Sequence, residues 1–421
     1  MVIDNMVEDD RKLVFGFLVF LVYFSISGFN VFISPINNKN IFMSQAVLSV
    51  MALVVSPRER WCLVAWGFSS VVVLGVFLSN SIAFLDGVVP SSWERVRDFC
   101  GQIFMFSILS SLFSEDIRLV RFLISGLYAG LFFTTMLFFL LWFSLDDPAQ
   151  YDWIWGVINF VNIRHLGMFV SAMLFISLWG CFYSCGAFRV ASMLGYSISF
   201  FFVVWSGGRA AILSTILALL FVAILTMWRQ WKIWLCVVLA SILSVWISTV
   251  FFVDNSSMGI GRFFLYERGG GGLEKVSSGR WSVWLHAVSL IADRPIWGWG
   301  GDIYSVVKIR PELSQVHNGF LQVPLEWGLL VGSIFWCGVI LLMGRGVYFL
   351  FMKRRYSEKN LVLGVGLGGV MLVHCMFDGV VYHGTPFAIF MFSLALVFSV
   401  TTKPTVETLA HNGPIIKGKL K

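Results

Sequence analysis

Charge is what this 421-residue chain has least of: 13% of its residues are Asp, Glu, Lys or Arg, while 58% are hydrophobic. Soluble domains carry about a quarter charged residues, so the deficit excludes an ordinary globular protein. Metal-type cysteine patterns are missing as well. Cys62, Cys100, Cys181, Cys185, Cys236, Cys337 and Cys375 fall in or beside apolar runs. None forms a CxxC pair at zinc-site spacing, and they read as small packing residues. No internal repeat of the kind that marks many transporters is visible. A cleavable leader is not evident either: Asp4, Glu8, Asp9 and Asp10 precede an apolar run from Leu13 to Ile33 that is long enough to be the first span. Long hydrophilic stretches are confined to one insertion, from about Asp254 to Val316.

What the chain does have is apolar runs, rich in its 42 Phe and 18 Trp. A membrane span needs roughly 20 mostly apolar residues. Runs centred near residues 23, 48, 71, 106, 131, 173, 197, 217, 242, 331, 369 and 393 give about twelve candidates, the second of them short. The expected fold class is an all-α polytopic membrane protein of about 12 transmembrane helices, with one large outer loop containing short helices. Nine spans fall in 1–253, the loop in 254–316, three spans in 317–402 and a cytoplasmic tail in 403–421.

With the N-terminus inside, the basic groups Arg11/Lys12, Arg58/Arg60, Arg118/Arg121, Arg189, Arg229/Lys232, Arg345 to Lys359 and the tail lysines are cytoplasmic. The short outer connections hold only Lys39, Arg95, Arg97, Arg164 and Arg209, as the positive-inside rule requires. The net charge of +7 therefore follows from topology and does not call for nucleic acid as a partner. The loop is the exception: it carries Arg262, Arg268, Lys275, Arg280, Arg294, Lys308 and Arg310 against six acids. Long loops translocate despite positive charge, so these arginines need another reason.

Within the loop, Arg268 and the four glycines after it form a mobile flap or a linker. Ser277-Ser278-Gly279 precedes a helical pattern from Arg280 to Ile291, whose Trp281 and Trp284 suit the headgroup level of a membrane. Trp297-Gly298-Trp299-Gly300-Gly301-Asp302 reads as a tight turn with two further interfacial aromatics.

Chemistry is expected where polar and apolar segments meet. His317 stands where the loop runs back into an apolar stretch, and an imidazole titrating near neutral pH can take a proton from a hydroxyl there. Asn318 after it is a natural helix cap. Arg209, in Ser206-Gly207-Gly208-Arg209, lies at the outer end of an apolar span, where a permanently charged planar donor set suits a diphosphate; a snorkelling arginine is the alternative. Arg280 could supply a second cation or be a solvated charge. Arg164 and His165 start the sixth span on the same terms. Glu326 lies about half a turn round the helix from His317, with Pro324 between them, so the two are not paired and Glu326 is expected to anchor a buried polar contact. Asp378 and His383, with His374 one turn before Asp378, are expected as pocket lining. Together these residues point to a lipid-linked phosphate substrate handled at the membrane face.

Ser206-Gly-Gly-Arg-Ala-Ala, Ser278-Gly-Arg-Trp with Pro295-Ile-Trp-Gly-Trp-Gly, and His317-Asn with Glu326-Trp-Gly, in that order around one outer loop, resemble the O-antigen ligase and polymerase superfamily of bacterial membrane glycosyltransferases. The resemblance covers about residues 159–330. It implies transfer of a glycan from undecaprenyl diphosphate to a sugar hydroxyl on the periplasmic face of the inner membrane, with no metal, cofactor or nucleotide sugar. Arg209 and Arg280 would hold the diphosphate and His317 would activate the acceptor. Arg164, Asn318, Glu326, Asp378 and His383 would line or support the pocket. Many members carry a second histidine two positions before the active one, where this chain has Gln315.

A ligase would use lipid A core oligosaccharide as acceptor, and a polymerase another lipid-linked repeat unit; ligase is the favoured expectation, by analogy. A transporter or flippase of lipid-linked sugars is the reading from another class. It would be expected to carry ionisable residues near mid-membrane and repeated halves, not one outer loop with a histidine.

Overall fold

The computed structural model describes residues 17–19, 21, 62–88, 92–226, 230–255, 258–259, 277, 279–310 and 315–402. The expected spans near residues 23 and 48 lie outside the described residues, apart from helical positions at 17–19 and 21. So do the segment from Glu267 through the glycines to Glu274, Ser278, and the tail from Lys403.

Ten described helices are long and apolar enough to cross a membrane. We number the described helices α1 (Leu63–Leu85), α2 (Trp93–Glu115), α3 (Leu119–Ser144), α4 (Ile163–Tyr183), α5 (Gly186–Ser206), α6 (Arg209–Thr226), α7 (Trp231–Val250), α8 (Trp281–Asp293), α9 (Tyr304–Val307), α10 (Gly319–Phe351), α11 (Lys359–Phe377) and α12 (Gly384–Thr402). No strand occurs among the described residues, and the chain is an all-α, multi-pass membrane protein. Each expected apolar run from residue 71 onward coincides with one spanning helix. Only helices satisfy their own backbone in hydrocarbon, so such runs have a single stable solution.

Helices α4 and α12 are buried on almost every face and form the centre of the bundle. Small residues along α4, among them Gly167, Ser171, Ala172 and Gly180, let its neighbours approach closely. Helix α7 is the opposite case. Leu239, Ile242 and Trp246 point outward, as a lipid-facing helix requires.

Connections after alternate helices gather at one end. Asp254 N–H donates to the Ala149 carbonyl (2.9 Å), Gly259 N–H to Trp205 (3.0 Å) and Ser92 N–H to Gly301 (3.1 Å), while Arg294 pairs with Asp86 (3.0 Å). The described residues between α7 and α10 therefore reach the ends of α1, α3 and α5. Helix α8 packs Val283, Ala287 and Ile291 against Tyr304 of α9 and Leu325 of α10, giving this cap a small core of its own.

Helix α10 is broken near that end. Its 33 residues would run about 50 Å at 1.5 Å each, well beyond a bilayer core of about 30 Å. The break falls at Gly328, where φ is 79° and ψ is 167°. A side chain there would collide with the Ile296 carbonyl, so glycine is required by both conformation and contact. The turn after α8 supplies the partners that the break removes. Trp299 N–H donates to Leu325 O (3.0 Å), Gly300 N–H to Glu326 O (2.9 Å), and Leu329 N–H to Pro295 O (2.6 Å). The motif Pro295–Gly300 is thus a backbone plug for the broken helix. Its aromatics face inward more than expected: Trp299 donates its indole N–H to Leu290 O (2.7 Å) and packs in the cap core.

Candidate active site

Three helices begin at one cavity of about 290 Å³, and each brings an arginine to it. Arg164 is the second residue of α4, Arg209 the first of α6, and Arg280 the residue before α8. A helix N-terminus carries partial positive charge and unpaired N–H groups, so cations and dipoles here act in the same direction. The local sequence explains the starts. Asn162 caps α4, its side chain accepting from Arg164 N–H (2.9 Å) and His165 N–H (3.2 Å). Gly207 ends α5 in the left-handed region, where a side chain would strike the Gly259 backbone; the chain then turns directly into Arg209. Ser277 caps α8 by accepting from Arg280 N–H (3.2 Å) and Trp281 N–H (2.9 Å). Arg280 is half-buried rather than solvated, and donates to the Phe377 carbonyl at the end of α11.

His317 lies behind two of the lining residues, Arg164 and Asp378, and is buried with φ of 53°. A left-handed non-glycine residue costs about 1–3 kcal/mol and persists only where its surroundings enforce it. The neighbours do so. Val316 N–H donates to Gln322 Oε1 (3.0 Å), the Val316 carbonyl accepts from the Trp284 indole (3.2 Å), and Asn318 caps α10 by accepting from Phe320 N–H (2.9 Å). Trp284 therefore serves the cavity wall, not the membrane surface, while Trp281 faces outward.

His317 Nδ1 lies 3.1 Å from Asp378 Oδ1, and Nε2 lies 3.4 Å from Arg164 Nη1. Asp378 follows the last residue of α11, 61 positions away in sequence. Burial pulls the His317 imidazole below its ordinary value; the Asp378 hydrogen bond and charge push back, and Arg280 and Arg164 reinforce the fall. Burial alone would raise the Asp378 carboxyl, but its bond to His317 and the charges of Arg280 and Arg164 hold it well below the usual range. Arg164 can only donate, so the Nε2 that faces it is the acceptor and the ring proton is on Nδ1, toward the Asp378 carboxylate. Nε2 carries the lone pair. Burial also lowers Arg280, with Asp378 opposing and Arg164 and Arg209 adding to the shift. The described lining has three arginines and one carboxylate, an excess of positive charge that suits a polyanion.

Glu326 does not meet His317. It is fully buried and pairs with Arg95 of α2 (Nε to Oε2, 3.0 Å). Gln322 donates to it (2.7 Å) and so does Asp302 N–H (3.3 Å). Arg95 also donates to Val381 O (3.1 Å) and lies over the Tyr382 ring, whose hydroxyl donates to Asp302 Oδ1 (2.6 Å). Sequence reasoning placed Arg95 among topological charges. Arg95 is the third residue of α2, in the polar start Trp93-Glu-Arg-Val-Arg-Asp, where nothing in the sequence separates it from its charged neighbours.

His383 is not among the residues that line this cavity. Its Nε2 lies 2.9 Å from Gln315 Nε2 and its ring is 3.7 Å from that of His165. Burial, then His165, holds it well below its ordinary value. His374 forms the cavity floor with its Nε2 3.2 Å from Ser214 Oγ. Among the described residues no three His, Cys, Asp or Glu side chains group as a metal site.

Residues 194–337 match a family model described as O-antigen ligase. That segment contains Arg209, Arg280, His317 and Glu326, while Arg95, Arg164, Asp378 and His383 lie outside it. No curated protein matches the chain. The matched segment is about a third of the chain and is similar to O-antigen ligases.

Proposed function

We propose that the protein is an O-antigen ligase of the bacterial inner membrane. It moves a glycan from undecaprenyl diphosphate to a sugar hydroxyl of lipid A core oligosaccharide on the periplasmic face, without metal. The observation that carries this reading is the neutral His317, set by Asp378 beside three arginines at helix N-termini. His317 Nε2 takes the acceptor proton as the acceptor oxygen bonds to the anomeric carbon. The bond from that carbon to the diphosphate breaks, and its electron pair leaves with the diphosphate, neutralised by Arg209 and Arg280. A diphosphate is a good leaving group, so no general acid is needed. Asp378 holds the tautomer and stabilises the imidazolium that forms, as a carboxylate does behind any histidine base.

Lipopolysaccharide extracted from a strain lacking the gene tests the assignment. Long glycan left on its lipid carrier, with bare core, is the expected result. A core bearing a single repeat makes the protein a polymerase of the same chemistry, and an unchanged profile rejects both.

A further inference from the structure

Both ring nitrogens of His317 are engaged. Nδ1 is held by Asp378 at 3.1 Å, and the only lone pair of the neutral ring, on Nε2, accepts from Arg164 Nη1 at 3.4 Å. A base whose lone pair is taken cannot accept the proton of a sugar hydroxyl. Arg164 is not remote from the anion site: it lines the same cavity as Arg209 and Arg280, and sits at the start of α4, where the chain enters its helix. A guanidinium binds an oxyanion more strongly than it binds a neutral imidazole nitrogen, because ionised acceptors make roughly twice as strong a bond.

We propose that Arg164 is a cap on the catalytic base, withdrawn by the diphosphate of the lipid-linked donor, so that the acceptor is activated only after the donor has bound. This rests on the diphosphate reading of the cavity given above. In the donor-free protein Arg164 occupies Nε2 and fixes the Nδ1-protonated tautomer together with Asp378. When the diphosphate enters between Arg209 and Arg280, Arg164 turns to it and Nε2 is bared toward the acceptor. Donor and acceptor then bind in a fixed order, with Arg164 as a positioning residue in the free enzyme and a third cation in the complex. After transfer the proton is on Nε2, and the imidazolium repels Arg164 until that proton is lost to water and the diphosphate departs.

Nitrogen NMR of the full-length protein, labelled in histidine and held in detergent, reads this state directly. The His317 signals are assigned with His317→Gln, and inorganic pyrophosphate serves as the probe. The expected result has two parts. In the wild type, pyrophosphate moves the unprotonated His317 nitrogen toward the position of a lone pair without a donor. In Arg164→Ala that nitrogen is already there, and pyrophosphate no longer moves it. Pyrophosphate that binds by equilibrium dialysis while the wild-type His317 signal stays still overturns the cap, and this arm needs no variant. A donor-free signal identical in wild type and Arg164→Ala overturns it too. If pyrophosphate fails to bind the wild type at all, the diphosphate reading fails instead, and the donor-free comparison of the two proteins still decides whether Arg164 engages Nε2.

Discussion

Two clusters at the same end of the bundle use the same residue types to opposite ends. Around Arg95 the charges close on one another: Glu326 answers the guanidinium, Gln322 and Asp302 N–H answer the carboxylate, and Arg95 also donates to Val381 O. Around His317 the charges face a cavity, with Arg164, Arg209 and Arg280 against Asp378. The first arrangement ties α2, the turn before α9 and the start of α10 together. The second keeps positive potential available for a ligand. An arginine near a membrane surface is therefore not read by its type, but by whether it is enclosed, as Arg95 is, or lines a cavity.

His317→Ala separates the clusters most sharply. Transfer should fall roughly 10²- to 10⁴-fold, the usual loss for a general base, while the folded protein still binds the donor. Activity within a few fold of wild type removes the histidine from the mechanism. Glu326→Gln should do the reverse. Removing one partner of a buried pair costs on the order of 3–5 kcal/mol, so the variant melts earlier and accumulates less, yet each folded molecule still turns over. Turnover abolished in Glu326→Gln at full stability would merge the two clusters into one site.

Asp378→Asn is the next largest effect. The amide keeps the shape but not the charge, and transfer should fall at least tenfold because the tautomer is no longer fixed. The pH profile gives the sign. Burial already lowers His317, and the Asp378 bond and charge oppose that fall. Without the carboxylate the imidazole drops further, so the acid limb of the profile, below about pH 6.5 in the wild type, moves to lower pH. An acid limb that moves upward contradicts the pairing. Arg280→Lys and Arg209→Lys keep charge but lose the planar fork, so each should weaken donor binding more than a charge count implies. Donor affinity equal to wild type in both would make these arginines bystanders. The smallest effect is none: excess chelator should leave turnover unchanged, because the arginines take the part of a metal on the phosphates. Loss of turnover restored by magnesium reverses that conclusion.

Much of this was legible in the sequence, and what was not has a common cause. Apolar runs fix helices because nothing else satisfies a backbone in lipid, and the connectors expected on one side do converge in space. His317 and Arg209 stood out because each marks a boundary between polar and apolar segments, while Arg280 gained a role only through the resemblance. The pairings did not stand out. Asp378 lies 61 residues from His317 and Arg95 lies 231 from Glu326, separations that only packing closes. The turn Trp297–Asp302 was visible as a turn, but its purpose was not, since the break it fills at Gly328 sits in an apolar stretch that reads as one helix. Pro324 drew attention as the bend, yet the chain breaks four residues later, where the turn can donate and accept.

The most direct test is a reconstitution. Purified protein in detergent is given an undecaprenyl-diphosphate-linked glycan and lipid A core oligosaccharide, and the products are separated by mass. Glycan joined to core with release of undecaprenyl diphosphate is the predicted result, and it should vanish in His317→Ala while the donor still binds. A wild-type protein that binds the donor yet forms no glycosidic bond to either core or a second lipid-linked unit would contradict the account.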